Sequence, residues 1–325
     1  MWSAVSLTVA IGAAIALYVQ SALPKVANGT SVWLLVVIGL LIYCGVIAVF
    51  TALYFVVAWI HRAPRPPQAR IGFRATVRLV VNEYLALLGA APRTILYKVL
   101  MHDPPAAPAD APVLLVHGVL CNAGQWSHFA RVLKSRGVRP IYTMSYGPPL
   151  ASIDDFADQL AVKIDAILAE TGAVDVVVVA HSMGGLVTLA YCRKYGPERV
   201  RRLISLATPY HGSMHAWFFP GICLGELRCK SEWLEELYRN PFDMPPISSI
   251  WSWHDSMVAP QTSSKLDGAQ NISLVGVGHN AILNDAGAQA RVVALIRSEQ
   301  VRAGTEVAPT SESPVSAAQT RSARA

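Results

Sequence analysis

The chain has 325 residues, 53% of them apolar, with 27 Lys and Arg against 21 Asp and Glu for a net charge of +6. That is enough apolar material for one large core or two modest ones, with a soluble domain and an additional element. The charge excess is local: residues 61–110 hold seven Lys or Arg against three acids, and the basic stretch 70–88 has only Phe73 and Tyr84 as aromatic neighbours, which argues against a nucleic-acid surface.

The additional element stands first. Residues 2–23 and 32–60 contain no charged side chain, and each exceeds the roughly 20 residues that span a bilayer core. A cleaved signal peptide is the alternative for the first run, but no Lys or Arg precedes it and no cleavage site separates it from the second. Residues 1–61 therefore read as a transmembrane helical hairpin. Small residues at Gly12, Ala16, Gly39 and Gly45 offer a packing face. The connector holds only Lys25, whereas Arg62, Arg65, Arg70, Arg74 and Arg78 follow the second run. The positive-inside rule then makes this a multi-pass protein of a bacterial-type inner membrane with its long C-terminal part in the cytoplasm.

Residues 62–111 form a basic juxtamembrane helix and a linker. Arg70, Arg74 and Arg78 recur at i, i+4 beside a face of Phe73, Val77, Val80, Tyr84 and Leu87. Such a helix either lies along an anionic leaflet or packs on the following domain. The Pro- and Ala-rich stretch 102–112 marks the domain boundary.

Between 112 and 299 strands and helices alternate. Strand-like runs at 112–118, 138–146, 174–182, 199–209, 248–255 and 271–279 are separated by helical patterns, among them 152–172, which opens on Ser152 with two acids behind it and stops at Gly172. The repeated alternation predicts an α/β fold with a doubly wound parallel sheet and helices on both faces. Residues 300–325 lose apolar periodicity and fill with Ala, Ser, Thr and Arg, the composition of a disordered tail. The five cysteines favour free thiols, with Cys223 and Cys229 able to pair in an oxidising compartment. No cluster of Cys and His suggests a metal.

The run "VVVVAHSMGGLV" (176–187) carries a four-valine strand into a turn and then a helix. Ser182 stands at that joint, where the side chain projects from the C-terminal edge of the sheet near the helix amides. Ala180 and Gly184 leave room for the tight backbone, so Ser182 reads as a nucleophile in a strained turn.

The stretch Ala180-His181-Ser182-Met183-Gly184 resembles the nucleophile elbow of the α/β-hydrolase superfamily, and "AHSMGG" is similar to that of small bacterial lipases and esterases. Alanine replaces the first glycine of the general pattern. The resemblance covers about 190 residues, from "PVLLVHG" to the last helix, and implies a Ser, acid, His order along the chain. Asp255 follows a strand and His279 follows the last strand, which brings both to the edge of Ser182. His279 is then the base, with His254 as its rival, and Asp255 the acid, with Asp243 or Asp267 as alternatives. The resemblance implies an oxyanion hole from the backbone N–H groups of Met183 and Val119, or Leu120 in place of Val119. His117 and His181 shape their turns.

"LATPYHGS" and the apolar insertion after Ser213, with Trp217, Phe218, Phe219, Ile222 and Leu224 in it, resemble the lipid-ester branch and suggest a short cap over an acyl site. The expected function is hydrolysis of lipid-like carboxylic esters through an acyl-enzyme, with no metal or organic cofactor, a membrane and its lipids as partners, and no nucleic acid. A thioesterase or acyltransferase on the same fold, or a silent membrane-tethered module, are the alternatives.

Overall fold

A computed structural model of the protein describes residues 2–306. The two uncharged runs form helices α1 (Trp2–Ala27) and α2 (Val32–Ile60), both long and apolar enough to cross a membrane. They meet where the Tyr18 hydroxyl donates to the Leu35 carbonyl and where the Tyr18 ring lies against Gly39. Gly12 and Gly45 face open space, so the small-residue face expected across the pair is not the contact. A tyrosine filling the space over one glycine does that work instead.

Three helices follow: α3 (Phe73–Leu88), α4 (Ala90–Ile95) and α5 (Tyr97–Leu100). Helix α3 runs beside α2, with hydrogen bonds from Tyr43 to the Leu88 carbonyl (2.8 Å) and from Tyr84 to the Cys44 carbonyl (3.3 Å). Its buried face is Leu79, Glu83 and Ala86, which packs on the domain that follows. Phe73 (83% exposed), Val77, Val81 and Leu85 form an exposed stripe at i, i+4 spacing. The apolar face read from the sequence is therefore rotated away from the packed one. A charged residue occupies the centre of the buried stripe, which periodicity alone assigns to solvent. The Pro/Ala stretch 102–112 is tied down: Asp103 accepts from the Thr143 N–H (2.9 Å) and pairs with Lys163.

The domain proper is a six-stranded sheet in which every pairing is parallel. Its elements in chain order are β1 (Val113–Val116), α6 (Ser127–Ser135), β2 (Ile141–Thr143), α7 (Ile153–Thr171), β3 (Val176–His181), α8 (Met183–Tyr195), β4 (Val200–Leu206), α9 (Ile222–Glu226), α10 (Glu232–Arg239), β5 (Ile247–Ser252), β6 (Gln270–Leu274) and α11 (Ala286–Glu306). The strand order is β2-β1-β3-β4-β5-β6, so the winding reverses between β1 and β3.

Period-two alternation on the central strands feeds two cores. Leu114, Val116, Val178 and Ala180 face α7 and α8, while Val113, Leu115, Val177 and Val179 face α6 and α11. All six residues of β3 are buried, as its unbroken apolar run implies. Full burial of each such aliphatic side chain contributes roughly 1.5–3 kcal/mol, which makes this strand a firmly anchored platform for a functional turn.

Helix α7 begins as its sequence predicts. Ser152 Oγ accepts from the Asp154 N–H, Asp154 and Asp155 fill the first turn, and Gly172 ends the helix at φ +70°. Helix α11 continues to Glu306, with Glu299 paired to Arg202 and Arg302 and Ala303 buried in the core. Residues 300–306 of the expected tail are thus helical, and 307–325 lie outside the described residues. All five cysteines are free thiols, Cys223 and Cys229 included.

Candidate active site

The reversal between β1 and β3 opens a crevice at the carboxyl ends of the strands, and the turn after β3 fills it. Ser182 sits there at φ +55° and ψ −129°, a conformation that costs an L-residue about 1–3 kcal/mol. Its backbone is held on both sides: the N–H donates to the Leu206 carbonyl (2.8 Å), and the carbonyl accepts from Thr208 Oγ1 (2.9 Å). The turn also needs Gly184, since a Cβ there would lie 2.6 Å from the carbonyl oxygens of Val116 and His117. Ser182 occupies the cap position of α8 without making a side-chain cap bond.

Its hydroxyl instead meets His279 Nε2 at 3.0 Å. His279 Nδ1 lies 3.0 and 3.1 Å from the two Asp255 oxygens, and Asp255 Oδ1 accepts from the Met257 and Val258 N–H groups at 2.8 and 2.7 Å. All three side chains are buried. Asp243 and Asp267 are exposed, and His254 is engaged elsewhere, its Nδ1 accepting from the Gly276 N–H. The chain thus brings Ser182, His279 and Asp255 into one hydrogen-bonded line.

Burial is the largest influence on both ionisable members, and in both it is overcome. It pulls His279 down, but the Asp255 charge and hydrogen bond, with a further contribution from Glu83, raise it above the ordinary 6.5. It pushes Asp255 up, but His279 and the Val258 and Met257 amides hold the carboxyl below the usual range. The arrangement favours an imidazole that gains a proton readily beside a carboxylate that keeps its charge.

The neighbouring histidines do other work. His181 Nε2 donates to the His279 carbonyl (3.0 Å) and its Nδ1 accepts from Gln125 (3.0 Å); burial drives it down to about 3, so it stays neutral. His117 stacks on Tyr146, and burial lowers it to about 4. Both brace turns, as their positions suggest.

Val119 and Leu120 line the cleft beside Ser182. Gly118 brings that loop close, since a Cβ on it would stand 2.8 Å from Ser182 Cβ, and Leu120 has φ +57°. Met183 opens α8, so its amide stands at the helix N-terminus. The cleft is small, about 90 Å³, with walls from the insertion at Ala216, Phe219, Leu224 and Leu227. Trp217 and Phe218, in the same insertion, are 54% and 64% exposed. Among the described residues, no group of three or more His, Cys, Asp or Glu is placed to hold a metal ion.

Two contributors come from outside the sheet domain and were missed in the sequence. Tyr54 of α2 lines the cleft, and its carbonyl meets His215 Nε2 at 3.0 Å. Glu83 of α3 is fully buried and accepts from Ser256 Oγ (2.8 Å), Asn280 N–H and Nδ2 (3.0 Å each) and Ala281 N–H (2.9 Å). Every partner is a donor, the pattern an ionised carboxylate satisfies. The available signal was its place four residues after Leu79, on the stripe with Ala86.

A family model described as the alpha/beta hydrolase fold matches residues 111–242, a span that includes Ser182 and stops before Asp255. Two triacylglycerol lipases are similar in sequence. That of Burkholderia plantarii is 26% identical over 66% of this chain and 62% of its own length. That of Pseudarthrobacter phenanthrenivorans is 26% identical over 51% and 55%. The chain therefore spans somewhat over half the length of these relatives. Among solved structures, Aspergillus fumigatus lipase B superposes with a TM-score of 0.54 at 21% identity, covering 62% of this chain and 57% of that one. Bacillus licheniformis lipase BlEst2 in mature form gives 0.52 at 18%, covering 61% and 95%. With its parallel sheet, helices on both faces and lipase homologues, the chain has the α/β-hydrolase fold.

Proposed function

We propose that the protein is a membrane-anchored serine hydrolase that cleaves carboxylic esters of lipid-like substrates. The observation that carries this reading is the line from Ser182 Oγ through His279 to Asp255, at 3.0 Å per contact, in a cleft walled mainly by apolar side chains. In this reading Ser182 attacks the ester carbonyl while His279 Nε2 takes its proton, and Asp255 fixes the ring tautomer and stabilises the imidazolium. The Met183 and Val119 amides receive the oxyanion. His279 returns the proton to the departing alcohol, and water then releases the acid from the acyl-enzyme by the reverse sequence.

The lipid class rests on three supports: the sequence likeness to triacylglycerol lipases, the apolar insertion over the cleft, and Tyr54. Tyr54 lies in the last third of α2, six residues before Ile60. At about 1.5 Å per residue the 29 residues of α2 reach about 43 Å, well beyond the roughly 30 Å hydrocarbon core. Its final turns then stand at headgroup depth, beside the cleft. In the same reading residues 1–61 anchor the chain, 62–111 brace it, and 112–299 form the catalytic domain.

The test is hydrolysis of p-nitrophenyl esters over a ladder of acyl lengths by the detergent-solubilised full chain. Activity that rises with chain length and is absent in Ser182→Ala supports the reading. A folded chain equally inert with and without the substitution on every ester overturns it, in favour of acyl transfer or a silent scaffold.

A further inference from the structure

A second recess, about 570 Å³, lies between α2, α3 and the turn that carries His254 and Asp255. Its helical walls are mainly apolar, with Phe55, Val56 and Trp59 on one side and Leu79 and Val80, beside Thr76, on the other. Its charged and imidazole side chains, Asp255 aside, are donors, and the Thr76 hydroxyl is spent on the Gly72 carbonyl (3.2 Å). Arg65 and Arg70 stand at it, together with buried His254. Because His254 Nδ1 accepts from the Gly276 N–H at 3.1 Å, the ring proton belongs on Nε2. That Nε2 and Arg65 Nε are both buried and, among the described residues, both lack a hydrogen-bond partner.

Among the described residues nothing nearby neutralises these groups. The Asp255 carboxylate is committed to His279 and to two backbone amides. The chain has no Asp or Glu before Glu83, and Glu83 faces Ser256, Asn280 and Ala281. None of Arg62, Arg65, Arg70, Arg74 and Arg78 forms a carboxylate ion pair among the described residues. Buried donors are seldom left unmatched, so an apolar trough with a rim of unmatched donors calls for an amphiphile with an anionic head.

We infer that this recess binds an anionic membrane lipid, its phosphate on Arg65, Arg70 and His254 Nε2 and its acyl chains along Phe55, Val56 and Val80. Continuity with α2 selects a lipid over free phosphate. The recess flanks the last two turns of that helix, where exposed Trp59, with the Arg62 guanidinium 4.8 Å over its ring, has the aromatic and basic character of the membrane interface. The inference rests on the membrane placement of α2 and is independent of ester hydrolysis.

The experiment uses the full chain carrying Ser182→Ala, so that no lipid ester is consumed, in neutral maltoside micelles. Dioctanoylphosphatidylglycerol and dioctanoylphosphatidylcholine are titrated separately, and bound lipid is read from the rise in thermal midpoint. The expected result is saturable binding of the anionic lipid, about tenfold tighter than the zwitterionic one. Adding Arg65→Gln and Arg70→Gln should weaken it about tenfold, while Arg74→Gln, on exposed α3 away from the recess, should leave it unchanged. Equal affinity for the two lipids, or an equal loss from Arg74→Gln, overturns the site, the first without relying on any recess variant. Full competition by inorganic phosphate at the same concentration overturns the lipid assignment. Resistance of the full chain to alkaline extraction from membranes reports the placement of α2 separately.

Discussion

The carboxylate of Glu83 accepts hydrogen bonds from the backbone N–H groups of Asn280 and Ala281, and Asn280 directly follows His279. A third bond reaches Ser256, which directly follows Asp255. One side chain on a helix outside the sheet domain thus holds the two loops that present the proposed base and acid. Gly278 completes the fit, since a Cβ there would lie 2.3 Å from a Glu83 carboxylate oxygen.

Glu83→Ala leaves these donors without an acceptor, each at about 1–3 kcal/mol, and should lower stability by several kcal/mol in a denaturant titration. Glu83→Gln keeps the shape and removes the charge. It should reduce kcat/KM by about tenfold, mainly through kcat, because an imperfect match to the loop amides displaces the His279 loop. Fall in KM affinity with unchanged kcat would refute a positioning role.

The pH profile supplies a separate check. His279 must be neutral to accept a proton, and its pKa is raised, burial being outweighed by Asp255 and Glu83. Activity is therefore lost as pH falls through a value above the ordinary 6.5, and the acid limb of kcat/KM should lie there. The other histidines interacting with the ring are His181 and His215, and burial lowers both, His181 to about 3. Glu83→Gln withdraws a negative charge, so the acid limb should move to lower pH. An unmoved limb would mean that Glu83 acts by structure alone.

Asp255→Asn should retain the fold while lowering kcat by about four orders of magnitude, because the amide no longer secures the Nδ1–H tautomer. Stopped-time ester assays with circular dichroism on the same preparation separate this from unfolding. Loss of less than about tenfold would point to a different partner for His279.

Gly184→Ala places a methyl 2.6 Å from two backbone carbonyl oxygens that have no flexible side chain to yield. It should cost about 3 kcal/mol of stability or displace the elbow. Near-normal unfolding and activity would contradict the close approach of the two backbones.

Tyr54→Ala removes a cleft wall that α2 supplies. The ratio of kcat/KM for long over short acyl esters should change about tenfold, measured on the p-nitrophenyl ladder. An unchanged ratio would separate the proposed acyl site from α2.

The sheet was legible because its physics is local. Unbroken valines before Ser182 signal a strand buried on both faces, and Ser152 and Gly172 punctuate α7 by cap chemistry that needs no tertiary context. The proximity of Ser182, Asp255 and His279 followed from their places at the ends of parallel strands. Glu83 was not legible, because a lone acid on an apolar helix face reads as solvent-exposed until its four donors, some two hundred residues away in the chain, are in place. Tyr54 was hidden for a similar reason: the long uncharged run of α2 reads as a helix able to cross a membrane but does not say that the sheet domain docks on its end.

The most direct test of the account is labelling of the detergent-solubilised full chain with a long-chain fluorophosphonate, followed by peptide mass spectrometry. The account predicts a single adduct on Ser182, absent in Ser182→Ala and formed far more slowly in His279→Ala. A folded chain that takes no label, or takes it at another residue, would contradict it.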